Sequence, residues 1–599
     1  MTLPLTIPAL HAAYGAGTLP ADVVAQVYAR IAEVNDPGIF IHLLDQTEVT
    51  AAAEALGDFD PAKPLWGVPF AIKDNIDAGG KPTTAGCPAY AYIADQDAFV
   101  VAQLKKAGAL LIGKTNLDQF ATGLVGVRSP YAPPKNSVDP LIVPGGSSSG
   151  SGVAVGHGIV CFSLGTDTAG SGRTPAALNN IVGLKPTLGA LSARGVVPAC
   201  RTLDTVSIFA LTVADAHAVF RAAAVYDAAD SYARPIAAPA PSPVPPGLRI
   251  GIPSAASIKF FGDDVQAASF ADAVKHLKAT GAVVTEIDFA TFYDAADMLY
   301  YGAWVAERYT VIGDLLKTNP DAIHPVTRKI ITTAENLSAA DAFRGMYRLK
   351  ELSRKAAPLL ANVDMLCVPT IPTIYSVKDL ADDPITPNNN LGTYTNFVNL
   401  MDMCGIAVPT RPRSDERPGS VTLLAAMGKD AQVAAVAMGF EGAAGGRMLG
   451  ATSWPVPAPG TPSDAPDPGA IRVAVCGAHM SGLPLNWQLT DLGARFVRKA
   501  STTDAYRFYA LAGGPPDRPG LVRSAPGTGA EIALEVWEMP LDRFGTFMKG
   551  IPAPLGIGTV ALADGGAVHG FVCEAAGLDG ARDITAAGDW RTHLAVGTA

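Results

Sequence analysis

A proline-rich segment divides this 599-residue chain into two parts of unequal length. Residues 454–468 read WPVPAPGTPSDAPDP. Because proline fixes φ and removes a hydrogen-bond donor, neither a helix nor a central strand can pass through such a run. We therefore predict a large first domain over residues 1–450, a linker over 451–469 and a smaller domain over 470–599.

A second proline-rich run, PIAAPAPSPVPP at residues 235–246, has two interpretations. It can be another linker between domains. It can equally be a long surface excursion within one domain. The sequence leaves both open.

Composition and charge restrict the class of protein. With 49% hydrophobic and 17% charged residues, the chain is globular rather than disordered or fibrous. The formal charge is 45 − 55 = −10, whereas a nucleic-acid-binding protein needs a basic surface to displace counterions. Nucleic acid is therefore not an expected partner.

The cysteines and the N-terminus indicate the compartment. Seven cysteines are scattered without a Cys-x-x-Cys pair or zinc-like spacing, so we expect reduced, mostly buried thiols and no metal site. The N-terminus has no basic region before its apolar residues, and the apolar stretch at 99–113 is broken by Lys105 and Lys106. We expect a soluble, cytoplasmic protein that does not contact a membrane.

Strand-like and helix-like segments alternate in the first domain. Residues 65–72, 109–113 and 159–164 have strand character. Helical patterns cover 97–107 and 152–158, and a further helix is expected to start within 173–180. This alternation predicts an α/β fold.

The C-terminal part has a different pattern. Residues 471–476, 531–538, 558–563 and 567–574 have strand character, and helical periodicity is scarce. We therefore predict a separate β-rich or α+β domain.

Two glycine-serine runs, PGGSSSGSG at 144–152 and GTDTAGSGR at 165–173, each precede an expected helix. Unpaired N–H groups and the positive end of the helix dipole stabilise an anion at such a place. If Ser171 attacks a carbonyl, the developing oxyanion can be bound by four backbone N–H groups, those of Thr168, Ala169, Gly170 and Ser171. In measured cases, one such donor stabilises the transition state by about 3 to 4 kcal/mol.

Other interpretations of these runs exist. Neither continues into the Gly-Lys-Ser/Thr of a phosphate-binding Walker loop. Residues 146–150 fit the G-x-S-x-G nucleophile elbow around Ser148, but the preceding DPLIVP makes a poor strand. Both runs can also be flexible turns without chemistry.

A lysine ends an apolar strand in GVPFAIKDN at residues 67–75. A buried ammonium is costly unless it is paired or deprotonated, so Lys73 is either a salt-bridged or snorkelling lysine, or a base. Lowering a lysine pKa from about 10.4 toward 7 or 8 requires that the charged form be destabilised relative to the neutral form by roughly 3 to 5 kcal/mol. Desolvation can supply this free energy. A neutral amine of this kind can activate a serine hydroxyl.

These motifs, together with GLKPT at 183–187 and the 24-residue step from Ser147 to Ser171, resemble the amidase signature family over about residues 20–445. The resemblance implies a mixed β-sheet core covered by helices. It implies a Ser, cis-Ser, Lys triad in which Ser171 is the nucleophile, Ser147 the bridging serine and Lys73 the base. The Gly146–Ser147 peptide bond is then expected to be cis.

The remaining polar residues near the motifs receive structural interpretations. His157 lies ten residues beyond Ser147 on an expected helix and is interpreted as a core or surface histidine. Asp167 and Arg173 bracket the expected nucleophile. We interpret them as an internal ion pair, or as separate contacts that fix the loop, which hold the oxyanion donors in place.

The segment LYYGAWVAER at 299–308 bears on the substrate. As one helix it places Tyr300 and Arg308, eight residues apart, near the same face. An arginine directed into a small pocket binds a carboxylate through two hydrogen bonds. The alternative is a surface arginine that packs on Trp304.

The same segment is similar to the allophanate hydrolase branch of the family, as are NLDQFATGLVGVRSPY at 116–131 and TAGSGR at 168–173. The resemblance implies that Tyr300 and Arg308 bind the ureido and carboxylate ends of allophanate. It also implies that residues 122–126 form a wall of the pocket.

The motif GAHMSGLPLN at 477–486 resembles the opening of the extra domain of that branch, whose fold is similar to γ-glutamyl cyclotransferases. The extra domain is implicated there in decarboxylation, which makes His479 the candidate residue. A histidine after a β-strand is otherwise a structural residue.

The resemblance implies hydrolysis of allophanate (urea-1-carboxylate) to ammonia and carbon dioxide via N-carboxycarbamate. No cofactor and no metal are implied. The implied partners are a biotin-dependent urea carboxylase and a second copy of the chain in a homodimer. The alternatives are a broad-specificity amidase, the A component of a glutamyl-tRNA amidotransferase, and a non-catalytic protein that docks to a carboxylase.

Overall fold

A computed structural model describes residues 3–240, 242–443, 446–458, 466 and 469–597. The chain divides into two compact units, Met1–Ala240 with Arg249–Pro459, and Pro241–Leu248 with Gly460–Ala599. The second proline-rich run is therefore divided, and its last part packs with the C-terminal unit. Of the predicted linker, residues 459–465 and 467–468 lie outside the described residues. The predicted domain boundaries stay predictions.

The first unit is an α/β structure. Its strands are β1 (Phe40–Leu43), β2 (Pro69–Lys73), β3 (Pro82–Thr83), β4 (Tyr92–Ile93), β5 (Leu110–Thr115), β6 (Phe162–Asp167), β7 (Val182–Lys185), β8 (Thr205–Ala210), β9 (Arg249–Pro253), β10 (Val283–Ile287), β11 (Met365–Pro369), β12 (Met403–Pro409) and β13 (Ser420–Ala426). Its helices are α1 (Ile7–Gly15), α2 (Pro20–Val34), α3 (Gln46–Glu54), α4 (Phe99–Lys106), α5 (Ser149–Gly156), α6 (Thr174–Leu178), α7 (Val213–Ala223), α8 (Asp264–Ala279), α9 (Ala290–Tyr301), α10 (Trp304–Thr318), α11 (Pro325–Ile331), α12 (Ala339–Ala361), α13 (Val377–Asp382), α14 (Thr386–Leu391), α15 (Asn396–Leu400) and α16 (Asp430–Ala443).

One mixed sheet of 11 strands organises this unit within the described residues, in the order β1-β5-β2-β6-β8-β7-β12-β13-β11-β9-β10. Strands β2 and β6 are parallel neighbours, with Phe70 opposite Phe162 and Ile72 opposite Leu164. All residues of both strands are buried, as expected for strands covered on both faces. Their carboxyl ends therefore meet at one edge of the sheet. The predicted mixed sheet covered by helices is confirmed.

Several predicted elements shift at their ends. The strand predicted over 65–72 begins at Pro69, because the preceding residues form turns and Gly67 has φ 70°. The helix predicted over 152–158 begins earlier, at Ser149. The single helix assumed for 299–308 is wrong. It is two helices, α9 and α10, separated at Gly302.

The second unit is an α+β structure. Its elements are β14 (Ala470–Val475), α17 (Trp487–Thr490), β15 (Arg495–Ser501), β16 (Tyr506–Ala510), β17 (Pro519–Arg523), β18 (Ala533–Pro540), α18 (Leu541–Lys549), β19 (Leu555–Ala561), β20 (Ala567–Cys573), β21 (Arg582–Asp583) and α19 (Trp590–Gly597). A five-stranded sheet has the order β15-β18-β14-β20-β19, and a three-stranded sheet the order β17-β16-β21. The similarity to γ-glutamyl cyclotransferases stays a prediction.

Two further expectations concern the whole chain. All seven cysteines are buried and unpaired, which confirms their interpretation as reduced core thiols. In the described ranges, every helix is too short or too polar to cross a bilayer.

Candidate active site

Lys73 is the last residue of β2, and its side chain is completely buried. Its Nζ lies 2.6 Å from the Ser147 Oγ and 2.7 Å from the Thr166 Oγ1. Burial lowers the pKa of the amine from 10.5 to about 7. Three carboxylates oppose this shift of the pKa, those of Asp118, Asp204 and Asp167. The lysine can therefore be neutral near neutral pH and act as a base.

Ser147 lies in the turn before α5 and is fully buried. The Gly146–Ser147 peptide bond is cis, as the family resemblance implies. Ser148, the centre of the alternative nucleophile elbow, donates its hydroxyl to the Thr166 carbonyl at 3.2 Å. The residues before the turn form only an isolated bridge at Ile142 and no strand, so the elbow interpretation lacks its feeding strand.

Ser171 lies in the loop between β6 and α6 and is 2% exposed. Its hydroxyl makes no hydrogen bond to any residue that the structure describes. Lys73 and Ser147 are therefore joined by a hydrogen bond. Ser147 and Ser171 are not joined by one in the described structure.

The backbone around Ser171 presents unpaired donors. The N–H groups of residues 168–171 donate to no described protein atom, whereas the next N–H, that of Gly172, donates to Asp167 Oδ2 at 3.0 Å. Asp167 also pairs with Arg173 through two hydrogen bonds of 2.9 Å, and both side chains are fully buried. This confirms the predicted internal ion pair. Consecutive free N–H groups form a concave site for an oxyanion.

Tyr300, which is half-buried, and Arg308, which is buried, lie close together although they belong to two different helices. The guanidinium is 5.3 Å from the Tyr300 ring centroid. Arg308 is 2% exposed, which contradicts the alternative of a surface arginine on Trp304. Its Nη1 donates to the Ala121 carbonyl at 3.3 Å and to Thr122 Oγ1 at 3.1 Å.

The opposite edge of that guanidinium is free. Arg308 Nε and Nη2, and the Tyr300 hydroxyl, are buried without a partner among the described atoms. Nε and Nη2 together present the fork that binds a carboxylate through two hydrogen bonds. A buried arginine without a carboxylate partner is costly, so the site favours an anion.

Sequence reasoning missed three buried residues around this site. Thr166 contacts Lys73 directly, and Asp118 accepts two backbone N–H groups from the loop that reaches Arg308. Arg128 donates to the Thr122 carbonyl at 3.2 Å and to the Pro384 carbonyl at 2.7 Å. Thr166 and Asp118 occur within motifs quoted for the resemblance, but only strand pairing and loop closure reveal their contacts.

His157 does not take part in the site. It follows the C-terminal end of α5, whereas Ser147 precedes the N-terminal end. His157 is half-buried, and burial lowers the pKa of its imidazole to about 4, so the ring is uncharged. Its predicted structural role is confirmed.

His479 lines a separate cavity of about 120 Å³ in the second unit, together with Gln488, Arg518 and Phe571. Its Nε2 is 2.9 Å from Gln488 Oε1, and its ring stacks on Phe571 at 4.9 Å between centroids. Burial lowers the pKa of the imidazole. The cavity therefore combines a neutral histidine with a cationic side chain.

Within the described ranges, no group of three His, Cys, Asp or Glu side chains is placed to hold a metal ion. The polar groups of the candidate active site are a lysine, serines, a threonine, a tyrosine and arginines. They suit an organic anion better than a cation.

Comparison with known families matches both parts of the chain. A model described as Amidase covers residues 22–434, and one described as Allophanate hydrolase C-terminal domain covers residues 471–595. Urea amidolyase of Lachancea kluyveri is 44% identical over 546 residues, which is 89% of this chain and 30% of that protein. The chain thus spans less than a third of that relative's length.

Two further comparisons concern the amidase part and the fold. The A component of the glutamyl-tRNA(Gln) amidotransferase of Aromatoleum aromaticum is 33% identical over 434 residues, which are 66% of this chain and 87% of that protein. The structure of SeMet-substituted Kluyveromyces lactis allophanate hydrolase is 40% identical, covers 99% of both chains and superposes with a TM-score of 0.78.

Proposed function

Because the chain belongs to the amidase signature family and carries an allophanate hydrolase C-terminal domain, we propose that it hydrolyses allophanate to ammonia and carbon dioxide via N-carboxycarbamate. The observation that carries this proposal is the free Nε–Nη2 edge of buried Arg308. A simple amide has no anionic end for such a group, whereas allophanate carries a carboxylate next to its ureido group.

In the proposed mechanism, neutral Lys73 takes the proton of Ser171 through the hydroxyl of Ser147. A neutral amine has one lone pair, so the 2.6 Å contact allows the Ser147 hydroxyl to donate to Nζ. The Ser171 oxygen bonds to the terminal ureido carbonyl carbon as its own proton passes to Ser147. The contact between the two serines belongs to the substrate complex, since catalytic hydrogen bonds commonly tighten only there.

The oxyanion forms where four backbone N–H groups have no protein partner, those of Thr168, Ala169, Gly170 and Ser171. Collapse of the intermediate breaks the bond from carbon to the terminal nitrogen, which leaves as ammonia with the proton returned by the relay. Water then attacks the Ser171 ester and releases N-carboxycarbamate. Arg308 and Tyr300 bind the carboxylate and ureido ends throughout.

We further propose that N-carboxycarbamate loses carbon dioxide at the cavity that contains His479. Arg518 at this cavity supplies a positive charge for the substrate carboxylate. A biotin-dependent urea carboxylase as supplier of allophanate, a homodimer and a cytoplasmic location also belong to the proposal.

The test is ammonia release from allophanate, acetamide and glutamine by the full chain. We expect turnover of allophanate, and a KM about 100-fold higher after Arg308→Met, because a buried charged hydrogen-bond pair is lost. Arg328→Met, on α11 and partly exposed, is the matched control and should leave KM unchanged. Turnover of acetamide or glutamine without turnover of allophanate would instead identify a broad amidase or an amidotransferase component.

A further inference from the structure

The loop of residues 118–128 lies directly against the turn that carries Ser147. The Asp118 N–H donates to the Ser147 carbonyl at 3.0 Å, and the Gly146 N–H donates to the Leu124 carbonyl at 2.8 Å. A Cβ atom on Gly146 would collide with a carboxylate oxygen of Asp118. Loop and turn are therefore in contact through their backbones, and the Asp118 carboxylate lies against Gly146.

The same loop anchors Arg308. The Ala121 carbonyl and the Thr122 hydroxyl accept from Arg308 Nη1, and these contacts leave the Nε–Nη2 edge free. Phe120 and Ala121 have φ values of 51° and 52°, a left-handed conformation that is unfavourable for residues with a side chain. Such a loop keeps its shape only if other contacts fix it.

The Asp118 carboxylate provides those contacts. Oδ2 accepts the Gly126 N–H at 3.0 Å and Oδ1 accepts the Arg128 N–H at 2.8 Å, which closes the loop on itself. Asp118 is completely buried, and no lysine, arginine or histidine nitrogen of the described chain lies within ion-pair distance. Its negative charge is therefore not cancelled by a direct partner and acts on the surrounding site.

We propose that Asp118 is a positioning residue that joins the Ser147 turn to the loop that anchors Arg308. Its backbone fixes the bridging serine, and its carboxylate fixes the arginine that binds the substrate anion. The base relay and the anion pocket are thus aligned by one residue. This inference rests on the proposed hydrolysis of allophanate.

The charge of Asp118 has a second consequence at Lys73. It is the strongest of the charges that raise the pKa of the Lys73 amine, against the larger effect of burial. The other charged groups that face this amine are Asp204 and Asp167, which also raise its pKa, and Arg308, which lowers it. Removing the Asp118 charge should therefore lower the pKa of Lys73.

The test is the pH dependence of ammonia release from allophanate by the full-length Asp118→Asn variant. We expect KM to rise about tenfold because Arg308 loses its fixed anchor, and the acid limb of kcat/KM to move to lower pH. Asp230→Asn is the matched control, since buried Asp230 also accepts backbone N–H groups but belongs to neither part of the site. A merely structural role would lower the amount of active enzyme without moving the acid limb.

A folded Asp118→Asn variant with the KM and pH profile of the Asp230→Asn control overturns the proposal. If Asp118→Asn does not fold, Thr122→Val tests the anchor alone. It should raise KM without moving the acid limb, and an unchanged KM overturns the proposal. If the unmodified protein releases no ammonia from allophanate, the proposed function itself has failed. That result differs from the outcomes above, all of which require an active unmodified protein.

Discussion

At the scale of single residues, the proposed chemistry depends on the hydrogen bonds of one amine. Lys73 Nζ contacts two hydroxyl oxygens, one on the Ser147 turn and one at the end of β6. A neutral amine has two hydrogens and one lone pair. If one hydrogen is donated to Thr166, the lone pair is directed to Ser147. In the proposed mechanism, Thr166 therefore orients Lys73.

The substitution Thr166→Val keeps the shape of the side chain and removes this acceptor. We expect kcat/KM for ammonia release to fall about tenfold, the equivalent of one lost hydrogen bond. Thr327→Val is the control, because Thr327 is equally buried and its hydroxyl has no partner within the described structure. A loss of activity equal in both variants would refute the orienting role.

The candidate triad could be predicted from sequence because short motifs carry Lys73, Ser147 and Ser171. Thr166 and Asp118 could not be assigned in this way. The contact of Thr166 with Lys73 arises from the pairing of β6 with β2, and the contacts of Asp118 arise when a loop closes on residues eight and ten positions later. The spacing of residues along the sequence does not predict these contacts.

At the scale of elements, the loop after β6 is held by a buried ion pair. Asp167, the last residue of β6, binds both the Arg173 guanidinium and the Gly172 N–H. These contacts leave the preceding N–H groups free and oriented. The ion pair thus connects the end of a strand to the shape of the proposed oxyanion site.

Asp167→Ala should leave Arg173 buried without its partner. We expect the free energy of unfolding to fall by about 3 to 5 kcal/mol, measured by urea denaturation, with loss of ammonia release. The exposed pair Arg344 and Asp341 is the control, since Arg344→Ala should change stability by less than about 1 kcal/mol. Equal effects of the two substitutions would exclude a special role for the buried pair.

The break between α9 and α10 shows where sequence periodicity fails. A continuous helix over 299–308 would explain how Tyr300 and Arg308 meet, but the chain turns at Gly302. A Cβ at this position would collide with the Met298 carbonyl. The two side chains meet because the helices are packed together, which helical spacing alone cannot predict.

At the scale of the whole molecule, the proline-rich segments predicted two units but not which residues belong to each unit. Residues 242–248 pack with the C-terminal unit, although the segments before and after this run belong to the first unit. Nothing in the local sequence of this short, proline-rich segment distinguishes it from a surface loop. Packing between distant segments determines its place.

We propose that the first unit releases ammonia and the second unit releases carbon dioxide, and His479→Asn in the full chain tests this assignment. We expect ammonia release from allophanate at an unchanged initial rate and slower release of carbon dioxide, because only the second step uses the histidine. His569→Asn, an exposed histidine of the same unit, is the control. Unchanged carbon dioxide release in the His479 variant would assign that histidine a structural role.

The most direct test of the central claim is the pH dependence of kcat/KM for ammonia release from allophanate, with Lys73→Arg measured in parallel. Burial lowers the pKa of Lys73 to about 7, and only the neutral amine can accept the serine proton. The account predicts activity that rises with pH through a limb near pH 7, and a folded Lys73→Arg protein without turnover. Turnover by Lys73→Arg, or a rate that is constant between about pH 5 and 8, would contradict it.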